Sequence, residues 1–395
     1  KIELAKNENI HFVGIGGIGM SGLALIMKGM GFKIQGSDIS INKNIERLKK
    51  NNIKIFLGHK KKNIDKATIL VISSAIKKNN LEVRQAKIKN LPVYKRGDML
   101  AHIVSLTKNV VVAGSHGKTT TTSLISGIFA KAKLDPTIIN GGVLNSLQNS
   151  ARLGKSKWCV LESDESDGSF VKIPQTYSVV TNIDREHMDY YKSINKLKNN
   201  FLDFINNVPS FGKSFICIDD KINSQITKKI KTKNFYTYGT HHHSNFMIKN
   251  PQQYKDLSIF DLHISLPAKN KIVLKNINIP LLGLHNIRNA TAAAAVAFTI
   301  GISFKVIKDS LKKFQGVQRR FNKIFSYRGV NFFDDYAHHP TEIKELIKGI
   351  DKVYKKDEIF CVFQPHRISR VRDLRKEFSL SFLKADAVIL CPIFK

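Results

Sequence analysis

The chain has 395 residues, 42% apolar and 24% charged, with 24 glycines against 10 prolines; this globular composition excludes a disordered chain and leaves room for two or three domains. Its 64 Lys and Arg against 31 Asp and Glu give a formal charge of +33. Lysine is nonetheless scattered through nearly every segment, and the clusters at 60–62 and 228–233 carry no aromatics for base stacking, so the charge speaks for biased residue usage and a mild pull on anionic substrates, not for a nucleic-acid surface.

No apolar run approaches the ~18 residues of a membrane-spanning helix, and no membrane insertion is expected. Cys159, Cys217, Cys361 and Cys391 stand alone without a CxxC pair, as buried thiols of a reducing compartment would. The N-terminus, Lys1-Ile2-Glu3-Leu4, lacks both an initiator Met and an apolar signal core, and the strand-like run 387–395 has no helix or polar tail after it. A cytoplasmic enzyme is expected, given as a fragment whose last domain is incomplete.

In chain order, strands at 10–13, 33–37 and 68–73 alternate with helices from about Ser21 and near Ile45, the rhythm of a parallel sheet covered by helices. A second unit opens with a strand at 109–113, a glycine-bearing turn and a helix at 118–131, followed by strands at 158–161 and 177–181. From about 215 to 279 short alternating strands predict an antiparallel insertion or edge, and an Ala-rich helix at 286–300 closes the unit. A third series follows Gln318: strand 330–333, helix 340–354, strand 359–363, helix 370–383.

Gly14-Ile15-Gly16-Gly17-Ile18-Gly19 follows a strand and opens a helix, where glycines let backbone amides approach a diphosphate and the helix dipole favours its charge. Asp38 lies nineteen residues after Gly19, at the end of the next strand, where a ribose-binding acid is expected. NAD or FAD, a UDP-sugar or other diphosphate, and an empty tight turn all remain open at this point. Gly114-Ser115-His116-Gly117-Lys118-Thr119-Thr120 is a sharper signal, a phosphate nest with Lys118 for the β/γ-phosphates and Thr119 for Mg²⁺. It departs from GxxxxGK[ST], because only two residues separate Gly114 from Gly117. Strand ends bearing Glu162 and His187 offer ligands that could complete the Mg²⁺ shell.

Eight blocks in order complete the pattern: HFVGIGGIGMSGLA (11–24), AGSHGKTTTT (113–122), ESDESDGSF (162–170), TNIDREHMDYY (181–191), HNIRNATAA (285–293), RRF (319–321), DDYAHHPTEI (334–343) and QPHRISRVRDL (364–374). Together they resemble the Mur ligases almost from end to end. The resemblance implies an α/β chain of three domains. A UDP-binding Rossmann-like domain takes 1–106, and a central P-loop ATPase-type domain with antiparallel strands takes 107–317. A truncated Rossmann-like C-terminal domain takes 318–395.

The activity implied is ATP-dependent ligation of L-alanine to the lactyl carboxylate of UDP-N-acetylmuramate through an acyl phosphate, in peptidoglycan precursor synthesis, with ATP and Mg²⁺ and in a monomer or weak homodimer. By resemblance, Gly16, Gly17, Ile18, Ser37 and Asp38 contact the UDP-sugar, with His59 and Ser73 nearby and His366 and Arg367 on a substrate-facing turn. Gly114 to Thr120 take the ATP phosphates, Asn286 and Asn289 the adenine, and Arg320 the γ-phosphate. Thr119, Glu162 and His187 hold the metal. Asp335, Tyr336, His338 and His339 match a loop meeting ATP and the amino acid, Tyr336 and His339 being assigned to the amino-acid pocket and His338 and His187 standing as candidate proton acceptors. Ser115 replaces the Thr usual in this family. A murein-tripeptide recycling ligase of the same family is the alternative. An NAD-dependent dehydrogenase would leave Lys118, Glu162 and His187 without a task.

Overall fold

The computed structural model describes residues 8–144, 149–267 and 270–394; Lys1 to Leu4 and Lys395, on which the reading of a fragment's ends partly rests, lie outside the described residues. In the N-terminal unit, β1 (Asn9–Val13), β2 (Lys33–Asp38), β3 (Lys54–Leu57), β4 (Ile69–Ile72) and β5 (Val93–Lys95) form a parallel sheet in the order β3-β2-β1-β4-β5. The strand order reverses at β1, and ligand crevices of open α/β sheets form where it does so. The helix after β1 starts at Ile18, earlier than the apolar periodicity from Ser21 suggests, because the glycine turn is short and Gly17 serves as its N-cap.

The central unit carries ten strands: β6 (Lys108–Ala113), β7 (Thr137–Leu144), β8 (Asn149–Arg152), β9 (Trp158–Glu162), β10 (Tyr177–Val180), β11 (Lys213–Cys217), β12 (Phe235–Gly239), β13 (Phe246–Gln253), β14 (Ser258–Ile264) and β15 (Ile272–Ile279). Their order is β15-β14-β13-β12-β11-β10-β6-β9-β7-β8, so β6 occupies the reversal point of this sheet too. The antiparallel region is smaller than expected. β11 and β12 pair parallel to their neighbours, and antiparallel pairing on that side begins only between β13 and β14. The helix Lys221–Thr227 supplies the crossover, and its seven residues are too few to register as periodicity.

In the C-terminal unit β16 (Asn322–Tyr327) and β17 (Val330–Asp334) form a hairpin, while β18 (Phe360–Phe363) and β19 (Ala387–Leu390) pair parallel. The pattern missed β16, whose side chains are nearly all exposed and so show no alternation. The single helix expected at 370–383 is two, Ile368–Asp373 and Arg375–Ser381, broken at Leu374.

One apolar core runs from the N-terminal unit into the central one, joining Met20, Leu23, Met99 and Ile103 to Ala151, Leu161 and Phe170. Gly22 permits that contact, since a Cβ there would stand 3.0 Å from the Ala151 Cβ. The C-terminal core is small, built on Ile343, Ile347, Phe363, Leu374 and Phe378. This unit meets the central one through polar side chains.

Candidate active site between the central and C-terminal units

At the end of β6 the chain turns through Gly114 (φ 135°) and Gly117 (φ 81°), and the helix Lys118–Lys131 begins. Both positions lie in the region that favours glycine, and a Cβ on Gly117 would stand 2.7 Å from Asn289 Oδ1. The segment after β10 braces the turn. Asn182 accepts from the Ser115 amide at 3.0 Å through its carbonyl and from the His116 amide at 2.8 Å through Oδ1. The Ser115 hydroxyl accepts from the Asp184 amide at 2.8 Å, so the residue that departs from the family's Thr keeps a hydroxyl in use.

Lys118 Nζ donates to the Gly114 carbonyl at 2.5 Å and lies 2.8 Å from Glu165. Burial alone would lower its pKa, yet Glu165 and Glu162 more than offset this and keep it charged. The same burial, reinforced by Asp164 and Glu186, pushes the Glu165 carboxyl up to about 7 despite Lys118. Thr119 Oγ1 donates to Glu162 at 2.8 Å, and Glu162 also accepts from the Gly141 amide at 2.9 Å. His187, with φ 56°, lies 3.7 Å from Glu165 and groups with Glu165 and Glu186, their ligand atoms within 4.8 Å of one another. Of the expected trio, Thr119 meets Glu162, while His187 groups with Glu165, which also pairs with Lys118. Glu162, Asp164, Glu165 and Glu186 gather near Lys118, with Arg96 beside Asp164 and Arg370 on Glu186, and their hard oxygens fit Mg²⁺.

The C-terminal unit reaches this loop directly. His116 Nε2 lies 3.0 Å from Asp184 and Nδ1 3.4 Å from Glu342, which sits in the first turn of the helix Pro340–Val353. Burial opposes protonation of His116, but these two carboxylates lift its pKa to about 10. Glu342 also lies 3.7 Å from Arg320 and 3.4 Å from His338. Thr341 donates to Asp184 at 2.5 Å, and Arg370 donates to Glu186 at 3.0 Å. His339 is buried with its ring centroid 4.7 Å from that of His116, and burial together with the neighbouring His116 charge drops its pKa to about 4.

A cavity of about 290 Å³ opens beside the loop. Gly117, Asn286, Asn289, Arg320 and Asp335 line it, and Leu281 and Phe314 add apolar surface. Asp335 accepts from the Phe321 and Ala337 amides at 2.7 Å each, and burial lifts its pKa to about 6 even beside Arg320. Tyr336 is partly exposed, its ring 4.8 Å from the Arg319 guanidinium and 4.9 Å from the His338 ring. His366 stacks on Phe394 at 5.2 Å and stands 6.2 Å from the His338 ring; Arg367, with φ 64°, begins the next helix.

The first glycine turn lies elsewhere, at the end of β1. Gly14 and Ile15 donate to the Ser37 carbonyl at 2.8 and 3.1 Å, Gly16 donates to Asp38 at 2.8 Å, and Gly17 and Ile18 are exposed at the start of an uncapped helix. Such an N-terminus leaves amides open to an anion. Asp38 accepts from Ile39 and Ser40 as well, so its carboxylate shapes the turn. Ser73 flanks Gly14, with its Cβ 3.2 Å from where a Gly14 Cβ would stand. The Ser37 hydroxyl is fully buried and donates to Glu82, so it is the one expected contact that is turned inward.

Sequence reasoning missed Glu165, Asp184, Glu186 and Glu342, although all four fall inside the quoted blocks. For the first three the signal was density, acids repeated at spacings of one to three residues after β9 and β10; Glu342 had none beyond its block. Glu82 and Arg370 had no signal outside their tertiary contacts.

Residues 9–108 match the Mur ligase family catalytic domain, 112–297 the Mur ligase middle domain, and 319–393 the Mur ligase glutamate ligase domain. The chain is 69% identical over 394 residues to a UDP-N-acetylmuramate--L-alanine ligase of Pelagibacter ubique, covering 100% of this chain and 85% of that protein. Among solved structures it resembles a UDP-N-acetylmuramate-alanine ligase from Thermotoga maritima, with a TM-score of 0.82, 26% identity and coverage of 98% of this chain and 85% of that one. A murein peptide ligase from Psychrobacter arcticus shares the fold, with a TM-score of 0.77 at 23% identity and coverage of 97% and 84%. The chain belongs to the Mur ligase family.

Proposed function

We propose that this chain is the ligase that uses ATP to join L-alanine to the lactyl carboxylate of UDP-N-acetylmuramate, a cytoplasmic step of peptidoglycan precursor synthesis. The 69% identical relative bears that activity in its name, whereas the murein peptide ligase supports the fold alone. The recycling ligase is therefore the weaker reading.

One observation carries the chemistry: the second glycine turn, through His116, Gly117 and Thr120, lines one cavity together with Arg320, Asp335 and Glu342 of the C-terminal unit. ATP takes this cavity, with its adenine toward Asn286 and Asn289 and its phosphates along Gly114 to Thr120. Lys118 and Arg320 stabilise charge on the transferring phosphoryl group, which the substrate carboxylate attacks to give an acyl phosphate. Glu165, Glu186 and His187, with Glu162 and Thr119 beside them, hold Mg²⁺, which when bound neutralises phosphate charge. The L-alanine amine then attacks the acyl carbonyl and phosphate leaves. Docking of the C-terminal unit on His116 and Asp184 closes the site against water, which would hydrolyse the intermediate. Tyr336 and His339 shape the amino-acid pocket, and His338 accepts the amine proton. The UDP moiety takes the first glycine turn, and His366 and Arg367 face the rest of the substrate. The ligase acts as a monomer or weak homodimer.

The test is phosphate release by the full-length protein with ATP, Mg²⁺ and UDP-N-acetylmuramate, with L-alanine or with L-Ala-γ-D-Glu-meso-diaminopimelate as the acceptor. Turnover driven by alanine is expected; turnover with the tripeptide alone would favour the recycling ligase. Hydroxylamine trapping of a hydroxamate before alanine is added checks the intermediate.

A further inference from the structure

Beneath the first glycine turn lies a buried carboxylate with no task in the reaction as described. Glu82 has no exposed surface and sits in the first turn of the helix Leu81–Ile88, where the helix dipole favours its charge. Oε1 accepts from Asn63 at 2.6 Å, and Oε2 accepts from the Ser37 hydroxyl at 2.6 Å. His59 Nδ1 lies 3.2 Å and His11 Nε2 3.5 Å from Oε2. Burial opposes ionisation, yet hydrogen bonds from His11, Ser37 and Asn63 outweigh it and hold the carboxyl below its usual range.

These contacts decide where the neighbouring protons sit. Ser37 spends its one proton on Glu82, so it can meet His59 Nδ1, 3.0 Å away, only as an acceptor. His59 must then carry a proton on Nδ1, and in the neutral ring Nε2 is left as an acceptor. Among the described residues no protein donor meets Nε2, and the ring is part-exposed. Ser37 links this proton arrangement to the turn, since its carbonyl receives both the Gly14 and Ile15 amides.

We infer that Glu82 is the positioning residue of the nucleotide-sugar site: through Ser37 and His59 Nδ1 it sets His59 so that Nε2 accepts a hydrogen bond from an N–H or O–H donor of the uridine. The inference rests on assigning the UDP moiety to the N-terminal unit. Glu82 touches no substrate and acts only through His59.

Two measurements on the full chain test it. Nitrogen-15 NMR of the ligand-free protein should show His59 protonated on Nδ1, with that preference lost in Glu82→Gln. In steady-state assays Glu82→Gln should raise the KM for UDP-N-acetylmuramate about tenfold, the order of one hydrogen bond to a charged group. The kcat and the KM for ATP should stay within about twofold. His59→Ala should do the same, and the double variant should be scarcely worse than either. A merely structural glutamate would instead lower kcat and disturb ATP use, and its effect would add to that of His59→Ala. Additive effects, or His59 protonated on Nε2 in the unmodified protein, overturn the inference. Should Glu82→Gln not fold, the tautomer of His59 in the unmodified protein and the KM split in His59→Ala decide the inference by themselves. A folded chain that shows the expected tautomer yet binds no UDP-N-acetylmuramate would sink the substrate assignment and leave the His59 arrangement standing.

Discussion

The two glycine turns start from the same local structure and end with different chemistry. Each follows the strand at which its sheet's order reverses, and each opens a helix without a side-chain cap. Around Gly14 to Gly19 the polar partners include the Ser37 carbonyl, the Asp38 carboxylate and the Asn42 and Asn44 amides, with Arg96 beside Gly19, and the turn itself carries no charged side chain. Around Gly114 to Thr120 stand Lys118, His116, Glu162, Glu165 and Asp184. The first turn can hold a charged group in place; the second can also stabilise charge as it moves.

Their surroundings differ in the same sense. The first turn's helix is packed into the core shared with the central unit, so its ligand is held on a rigid body. The second is completed by hydrogen bonds and ion pairs from a unit with its own small core. Polar contacts of this kind exchange readily with water and ligand, which suits a site that must open and close.

Substitutions should separate the two turns. Lys118→Ala should give the largest effect, a fall in turnover of ~10³ or more, because it removes charge from the phosphoryl step. Calorimetry should still find UDP-N-acetylmuramate affinity near normal; joint loss of both would erase the distinction. Arg320→Ala should lower single-turnover phosphoryl transfer on the order of 10²-fold, the scale of one preorganised donor, and again spare UDP-sugar binding.

Asp38→Ala should act on the other side. Loss of the acid that holds Gly16 should weaken UDP-sugar binding by ~1 to 3 kcal/mol while the KM for ATP stays put. A matching rise in the ATP KM would show that the shared core transmits damage between the turns.

The smallest effect concerns pH. The folded chain binds the His116 proton more tightly than its ordinary value of 6.5 and releases it near 10. Contacts that depend on that proton are therefore fully present below about 6.5 and lost as pH rises through about 10. Thermal melts should show stability falling as pH rises over that window. The loss should be absent in His116→Gln; an unchanged pH profile in that variant would remove His116 from the docking contact.

Much of this was legible before any coordinates. Strand, glycine turn and helix follow from residue type alone, because only glycine reaches φ values such as those of Gly114 and Gly117, and the apolar runs before them admit little but buried parallel strands. The blocks around them picked out Lys118, Glu162, His187 and Arg320 as candidates for one site. The strand β16 and the crossover helix Lys221–Thr227 escaped because one lacks burial contrast and the other lacks length.

Partnership was the part that tertiary structure decided. Whether Glu162 or Glu165 answers Lys118, whether His187 joins the first acid or the later two, and whether Ser37 faces a ligand or a buried glutamate depend on how the fold brings segments together: Lys118 meets Glu165 across 47 residues and Ser37 meets Glu82 across 45. Sequence by itself determined the two glycine turns and their order, since local backbone sterics and periodic burial are written residue by residue. The charge states around them came only with folding, because burial and neighbouring charge set a pKa and neither exists until distant segments meet.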